Sequence, residues 1–426
     1  ITSYVPGEEL ELPVYNKEGY SFLGWYYSPY SYDEVTKIES TQTGDIKLYA
    51  RFVRYDFSNL TLPDASYHFT KIVEQTLENG TSTYYPENPL GQSSQNFKWT
   101  TSDSSILLVS EWSSLRAVNS GYCVLTATSK SDPSLKINAL IKVTSTGFSI
   151  ASIEEVKQTE TVKVTFKGYN DEIIKEYNVR KGFNIIYPMA PYITNKHFVG
   201  WSSYPISVNE DVVISALYED GENEYTSKSY ALIGDSISTY YAYQPFTQDL
   251  SYFYPYPTAD LYSFNQTWWM RTINGLGGSL FFNNSYSGTC VASGSTNDSS
   301  NPKRLALLVQ EGHYADITMI FMGSNDCASK ISVVHFEEQY RAMIDEVLRI
   351  CPNTKVVLYT LPISKLYNID LRDAYNECIK KIAGDYGFDI IDISSVDLQG
   401  YTVDSAHPNN SGMELISDAI LKQILK

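Results

Sequence analysis

Long apolar runs are missing from this sequence. Nowhere do the roughly 20 consecutive apolar residues occur that a bilayer-spanning helix requires, so no transmembrane segment is expected. Positive charge is scarce as well: 32 Lys and Arg stand against 49 Asp and Glu, a formal net charge of −17, with no long basic run. A surface of that sign repels nucleic-acid phosphates and anionic lipid headgroups, which excludes nucleic acid as a partner and favours a neutral substrate. Cysteine is sparse, with Cys123, Cys290, Cys327, Cys351 and Cys378 and no Cys-x-x-Cys pair. No Cys/His cluster has zinc-ligand spacing, so neither a metal nor a disulfide scaffold is expected, and most of the five read as small buried apolar groups. A starting Met and a signal-like segment are also lacking before Ile1. The chain therefore reads as a mature or trimmed form, and the missing signal does not argue for the cytoplasm.

What is present is a folded, modular protein. An apolar fraction of 43% suits a packed core, and 426 residues are too many for one ordinary domain. Tyrosine is abundant at 36, and Tyr, Ser, Asn and Thr dominate the loops, a texture associated with secreted bacterial proteins that handle glycans. The first half contains an internal repeat. One copy, Gly7 to Phe52, includes Phe22-Leu23-Gly24-Trp25 and closes with the strand Leu48 to Phe52; the other, Gly182 to Glu219, includes Phe198-Val199-Gly200-Trp201 and closes with Ile214 to Tyr218. Each reads as a small β unit with its Trp packed beside a glycine turn, so Trp25 and Trp201 are expected in repeat cores rather than as sugar platforms. A period-2 strand, Val162 to Phe166, precedes the second copy; the first lacks its counterpart. Between the copies, Lys98 to Asp103, Ile106 to Val109, Ala117 to Gly121 and Cys123 to Thr128 alternate as the short strands of a β-sandwich. These strings resemble two kinds of bacterial module. The repeats are similar to internalin-type B, or Listeria–Bacteroides, repeats, which are β-grasp-like. Trp99-Thr100-Thr101-Ser102-Asp103 and Gly121-x-x-x-Leu125-Thr126-Ala127 resemble a group 2 bacterial Ig-like domain.

After the acidic link Glu219 to Glu224 the texture changes. Tyr230 to Ile233, Ile317 to Met322, Lys355 to Tyr359 and Phe388 to Ile391 are apolar runs of the parallel-sheet kind. Helices alternate with them: one carries Phe336, Tyr340, Ile344, Val347 and Leu348 on one face, another spans about Ile369 to Tyr386, and the last carries Met413, Ile416, Ile420 and Ile424. Strand and helix in alternation predict an α/β sheet covered on both faces. The domains expected are 1–53, 54–148, 149–221 and 225–426, and the last is expected to fold and act when cut free near Tyr225.

The C-terminal domain also carries chemistry. Ser236 follows its strand directly, where open α/β sheets place their ligand crevices. A serine hydroxyl needs a base to become a nucleophile, and histidine, whose unperturbed side chain changes charge near neutrality, makes His407 the natural candidate. Asp404, three residues before His407, is placed to orient the imidazole and stabilise its cation. Asn325 stands just past the strand Ile317 to Met322 and can donate to an oxyanion, as can the backbone N–H of Gly288; Gly277 and Gly278 are rivals for the glycine role. Tyr240, Tyr241, Tyr243 and Phe246, together with Asp235 and Tyr286, are candidates for a substrate pocket, with packing the equal alternative. His68, His197, His313 and His335 have no partner motif and read as structural.

In this arrangement Ser229 to Lys426 resembles an SGNH hydrolase of the GDSL esterase superfamily. The matching blocks are Gly234-Asp235-Ser236, Ser287-Gly288, Gly323-Ser324-Asn325-Asp326 and Asp404-Ser405-Ala406-His407. The resemblance implies a flavodoxin-like three-layer α/β sandwich with a parallel sheet. It also implies Ser236 as nucleophile, His407 as base, Asp404 as orienter, and an oxyanion hole of the Ser236 and Gly288 amides with the Asn325 side chain. No cofactor is implied. The expected activity is ester hydrolysis through an acyl-enzyme, by a secreted or surface bacterial protein, with carbohydrate-linked acetyl groups as substrate and the β modules contacting a cell surface or polysaccharide. A lipase or lysophospholipase, or an adhesin with a silent hydrolase scaffold, are the alternatives. Cys290 and Cys327 each lie two residues beyond an oxyanion-hole block. If both blocks face one hole, the two cysteines approach each other and a disulfide is open to them in an oxidising exterior.

Overall fold

Parallel strands buried on both faces require helices to cover them, and the C-terminal half supplies these in strict alternation. In the computed structural model, which describes residues 3–76, 82–158, 160–243 and 252–425, β1 (Ser229–Gly234), β2 (Ser279–Ser285), β3 (Ile317–Phe321), β4 (Lys355–Tyr359) and β5 (Asp389–Ile391) form one sheet. Its order is β2-β1-β3-β4-β5, and every pairing is parallel. All residues of β1, β2 and β3 are buried.

The connecting helices are α1 (Trp268–Gly275), the short α2 (Pro302–Leu305) and α3 (Ser324–Ala328), α4 (Val333–Ile350), α5 (Ile369–Tyr386) and α6 (Asn410–Ile424). Local chemistry sets their ends. Asn368 caps α5 by accepting from the Asp370 and Leu371 amides, and Gly387 stops it in the left-handed region at φ 69°. Ser332 and Asn409 cap α4 and α6 in the same way. The strands and long helices stand where the periodicity places them. No helix among the described residues is long and apolar enough to cross a membrane.

The two repeat copies share a structural signature. In each, the strand holding Phe-x-Gly-Trp slips register against its antiparallel partner across the glycine: Tyr20–Tyr26 against Tyr49–Arg54, and Lys196–Trp201 against Val212–Asp220. Gly24 and Gly200 take φ values of 137° and 153°, and a Cβ on Gly24 would strike the Glu34 side chain at 2.4 Å. Trp201 is buried against Phe166 and Phe198 as expected of a core residue. Trp25 is only half-buried, with its indole N–H donating to Pro13 O. Between the copies lies a sheet in which Gly121–Ser129 pairs with Phe97–Thr101 and Lys136–Thr144, flanked by the hairpin Leu107–Val109 and Leu115–Ala117.

The expectation of a free-standing C-terminal domain meets a different arrangement. The first repeat covers the open edge of the parallel sheet: the Tyr32 N–H donates to Leu280 O on edge strand β2, and Ser279 Oγ donates to Asp33 (2.9 Å). From the second repeat, the Ala190 N–H donates to Gly277 O (2.7 Å), and Ile185 O accepts from the Asn265 amide (2.7 Å). The middle module accepts the Tyr240 hydroxyl at Ala117 O (3.2 Å) and the Tyr243 hydroxyl at Asn119 Oδ1 (2.7 Å). All these partners on the C-terminal side are buried. Cutting near Tyr225 strips buried backbone carbonyls, an amide and two tyrosine hydroxyls of their partners, each costing about 1–3 kcal/mol if left unsatisfied.

Two outcomes follow. A fragment starting at Tyr225 will unfold at a lower temperature than the full chain, checked by comparing their melting curves. Asp33 gives a pH signature: burial pushes its carboxyl up to about 6, against the pull of the Ser279 hydrogen bond. A raised folded pKa means the native state holds the proton longer, so this group's contribution is complete below about pH 4 and lost as pH rises to about 6. Asp33→Asn will remove that slope, checked by urea unfolding at pH 4, 5, 6 and 7.

Candidate active site

The C-terminal ends of β1, β2 and β3 carry the three sequence blocks, and the loop before α6 brings the fourth. Gly234 ends β1, and a Cβ there would fall 2.6 Å from Ser238 and 2.7 Å from Ser285 Oγ, so no other residue fits without displacement. Asp235 caps the following turn by accepting from the Ile237 amide (3.0 Å). Ser236 opens that turn and is 7% exposed.

His407 Nε2 lies 2.8 Å from Ser236 Oγ, and its Nδ1 lies 2.8 Å from Asp404 Oδ2. The other carboxylate oxygen of Asp404 accepts the Ala406 and His407 backbone amides at 2.7 and 2.8 Å. Burial alone would raise the Asp404 pKa, but the hydrogen bonds from the His407 side chain and those two amides outweigh it and hold the group at about 2. An ionised carboxylate only accepts, so Nδ1 carries the imidazole proton and Nε2 is left to accept from the serine hydroxyl. That tautomer suits proton removal from Ser236.

The oxyanion-side candidates are also brought together. The Asn325 amide donates to Thr289 O (2.9 Å), which ties the start of α3 to the loop after β2. Asp326, next in the block, accepts from the Val291 amide (3.0 and 2.9 Å) and the Ala292 amide (2.9 Å), clamping the same loop. Gly288 sits in that loop, exposed, with φ 73° and open space around a Cβ. Gly277 and Gly278 stand at the opposite end of β2, where Gly277 faces Phe198 of the second repeat.

Several sequence expectations need correction. Cys290 and Cys327 are free buried thiols whose pKa burial pushes up to about 12, so no disulfide braces the site. Between their two segments lies the Asp326 carboxylate, which binds the loop by hydrogen bonds instead. Asp235, Tyr240 and Tyr286 are 2%, 0% and 4% exposed and make supporting contacts: Asp235 is a turn cap, Tyr240 anchors the middle module, and Tyr286 lies under the Arg304 guanidinium at 4.5 Å. Tyr243 stacks on Phe264. Tyr241 is half-buried, edge-on to Tyr252 at 5.0 Å. Phe246 lies outside the described residues.

Other site residues carry no sequence signal. Phe253 stacks flat on the His407 imidazole, with centroids 3.5 Å apart and planes 8° apart, and Tyr256 stacks on Phe253 at 4.6 Å. The Phe253 amide donates to Thr239 Oγ1, which itself donates to Ser236 O (both 2.8 Å). The aromatic segment therefore hangs from the nucleophile turn. Arg304 on α2 donates to Gly234 O (2.7 Å), Asn284 O (2.8 Å), Asn297 O (2.8 Å) and Thr289 Oγ1 (3.0 Å), fastening the ends of β1 and β2 to the Gly288 loop. No motif marks it, because a lone Arg in Asn-Pro-Lys-Arg reads as surface.

Comparison with known proteins follows the same division. Residues 228–424 match the family described as GDSL-like Lipase/Acylhydrolase, and residues 2–51 match the Listeria-Bacteroides repeat domain. A search of curated proteins finds no match. Among solved structures, a protein termed a GDSL-like lipase from Bacteroides ovatus is 25% identical, covering 46% of this chain and 97% of its own, with a TM-score of 0.37. Another termed a GDSL-like lipase, from Bacteroides uniformis, is 22% identical over 46% and 95% with a TM-score of 0.37. The esterase EstA from Pseudoalteromonas sp. is 19% identical over 46% and 96%, with a TM-score of 0.34.

Arg304 offers a direct test of how the site edge is held. Arg304→Met will leave several buried acceptors without a donor and will destabilise the chain by about 3 kcal/mol or more, checked by urea unfolding.

Proposed function

We propose that residues 228–424, which match the GDSL-like lipase/acylhydrolase family, hydrolyse esters by a mechanism that runs through Ser236, His407 and Asp404. The observation that carries it is the pair of 2.8 Å hydrogen bonds linking Ser236 Oγ to His407 Nε2 and His407 Nδ1 to Asp404. As Ser236 Oγ attacks the ester carbonyl, its proton passes to Nε2, and the Asp404 carboxylate stabilises the resulting imidazolium. The oxyanion takes hydrogen bonds from the Ser236 and Gly288 amides and from the Asn325 side chain. Collapse expels the alcohol, which takes the proton from Nε2. Water, deprotonated by the same nitrogen, then attacks the acyl-enzyme and releases the acid and free Ser236.

The natural substrate in this reading is a small acyl group, acetyl above all, on a carbohydrate, and the protein works outside the bacterial cell or on its surface. The Listeria-Bacteroides repeat at residues 2–51 supports that location. The modules are 1–53, 54–148, 149–221 and 225–426. A lipase-like preference would show as rising turnover with acyl chain length, and a silent scaffold as no turnover at all.

Ser236→Ala and His407→Ala will each abolish most hydrolysis of p-nitrophenyl acetate while the far-UV circular dichroism stays unchanged, because the pair acts as one unit. Asn325→Ala will lower kcat by about 10²–10³ with little change in KM, since its amide matters chiefly once the oxyanion forms. Substantial turnover by either of the first two variants removes that residue from the mechanism, and an unchanged kcat does the same for Asn325.

A further inference from the structure

The chain has nine arginines. Eight of them hold hydrogen bonds: Arg51 and Arg54 in the first repeat, Arg180 in the second, and Arg271, Arg304, Arg341, Arg349 and Arg372 in the α/β domain. The ninth, Arg116, has neither a hydrogen bond nor an ion pair among the described residues, and its Nε is buried without a partner. It belongs to the middle module, on the hairpin strand Leu115–Ala117, whose Ala117 carbonyl anchors Tyr240 four residues past the nucleophile. The guanidinium stands 5.8 Å from the Tyr256 ring and also acts electrostatically on Tyr252. Tyr256 stacks on Phe253, and Phe253 stacks on His407. A cation with no ion-pair partner among the described residues thus lies three ring contacts from the His407 imidazole, beside a ring that is 37% exposed.

Resting on the hydrolase reading above, we propose that Arg116 forms a subsite for a carboxylate carried by the alcohol portion of the ester. The side of the site follows from the chemistry. His407 Nε2 hands its proton to the departing alcohol, so the alcohol lies on the imidazole flank, away from the Asn325 and Gly288 blocks. Phe253, Tyr256 and Arg116 extend from that flank. The terminal nitrogens of Arg116 have no hydrogen-bond partner among the described residues, and a guanidinium binds a carboxylate through two parallel hydrogen bonds, which a neutral hydroxyl cannot match. The preferred substrate class is therefore an O-acylated acidic sugar or hydroxy acid rather than a neutral ester. The net charge of −17 is no obstacle, since exposed charges more than about 8–10 Å away are largely screened at physiological salt while Arg116 acts in contact.

Two matched probes test this on the full chain: 4-acetoxybenzoate, whose alcohol carries a carboxylate, and its neutral methyl ester. Arg116→Gln will lower kcat/KM for the anionic probe by about tenfold or more, chiefly through KM, and leave the methyl ester within about twofold of wild type. Arg116→Lys will recover part of the loss, and added salt will weaken the wild-type enzyme on the anionic probe alone. Equal losses on both probes, with a lowered melting temperature, would make Arg116 a cation–π anchor for the module and overturn the subsite. Unchanged rates on both probes would overturn it as well. A wild-type chain that cleaves neither probe, no better than Ser236→Ala, would overturn the hydrolase reading and the subsite with it.

Discussion

A single buried cation holds the active edge together. Arg304 is packed away from water, where an unpaired guanidinium would cost several kcal/mol, and it survives there by donating to three carbonyls and a hydroxyl. Burial pulls its pKa down, but only to about 10, so it remains charged at neutral pH. Its partners are the ends of β1 and β2 and the loop that carries Gly288 and Thr289. Those bonds fix the ends of β1 and β2, and with them the Ser236 turn, relative to the loop that carries Gly288. Asp326 does the same work from the other side with a negative charge, taking the Val291 and Ala292 amides. Two buried groups of opposite sign, each bonded mainly to backbone rather than to one another, thus define the loop.

Much of this fold could be read in advance because the physics that sets it is local. Buried parallel strands show as apolar runs, α4 and α6 show as stripes, and α5 spans the Ile369 to Tyr386 range expected for it. The serine, histidine and aspartate were legible for a similar reason: each sits in a short string whose residues also shape the turn that presents it. Asp404 illustrates this. Its spacing to His407 lets one carboxylate hold both the imidazole and the backbone amides of the same loop.

What stayed hidden depends on contacts between distant segments. Phe253 and Tyr256 lie in an irregular stretch with no period, and only the folded chain shows that they stack on His407. The tyrosines after the nucleophile invite a pocket assignment, yet Tyr240 and Tyr243 turn away to bind Ala117 and Asn119. Spacing from a motif gives proximity but not direction, which is why Cys290 and Cys327 could be near one site and still remain separate thiols. The acidic link near Asp220 looked like a free tether because composition reports solvent exposure of the link and nothing of what the modules touch afterwards.

Those contacts change what the β modules are for. Edge strand β2 would otherwise leave a row of unpaired backbone groups facing solvent; the Tyr32 amide of the first repeat pairs one of them, and its Asp33 carboxylate takes the Ser279 hydroxyl on the same strand. The middle module reaches past the edge to the segment after Ser236 and brings Arg116 beside the aromatic column on His407. A module that only carried the enzyme to a polymer would need no such contact. Here the first repeat protects the sheet edge while the middle module sets a positive charge beside the aromatic column on His407. Ser236, His407 and Asp404 come from one domain, while the cation beside the aromatic column on His407 is contributed by another.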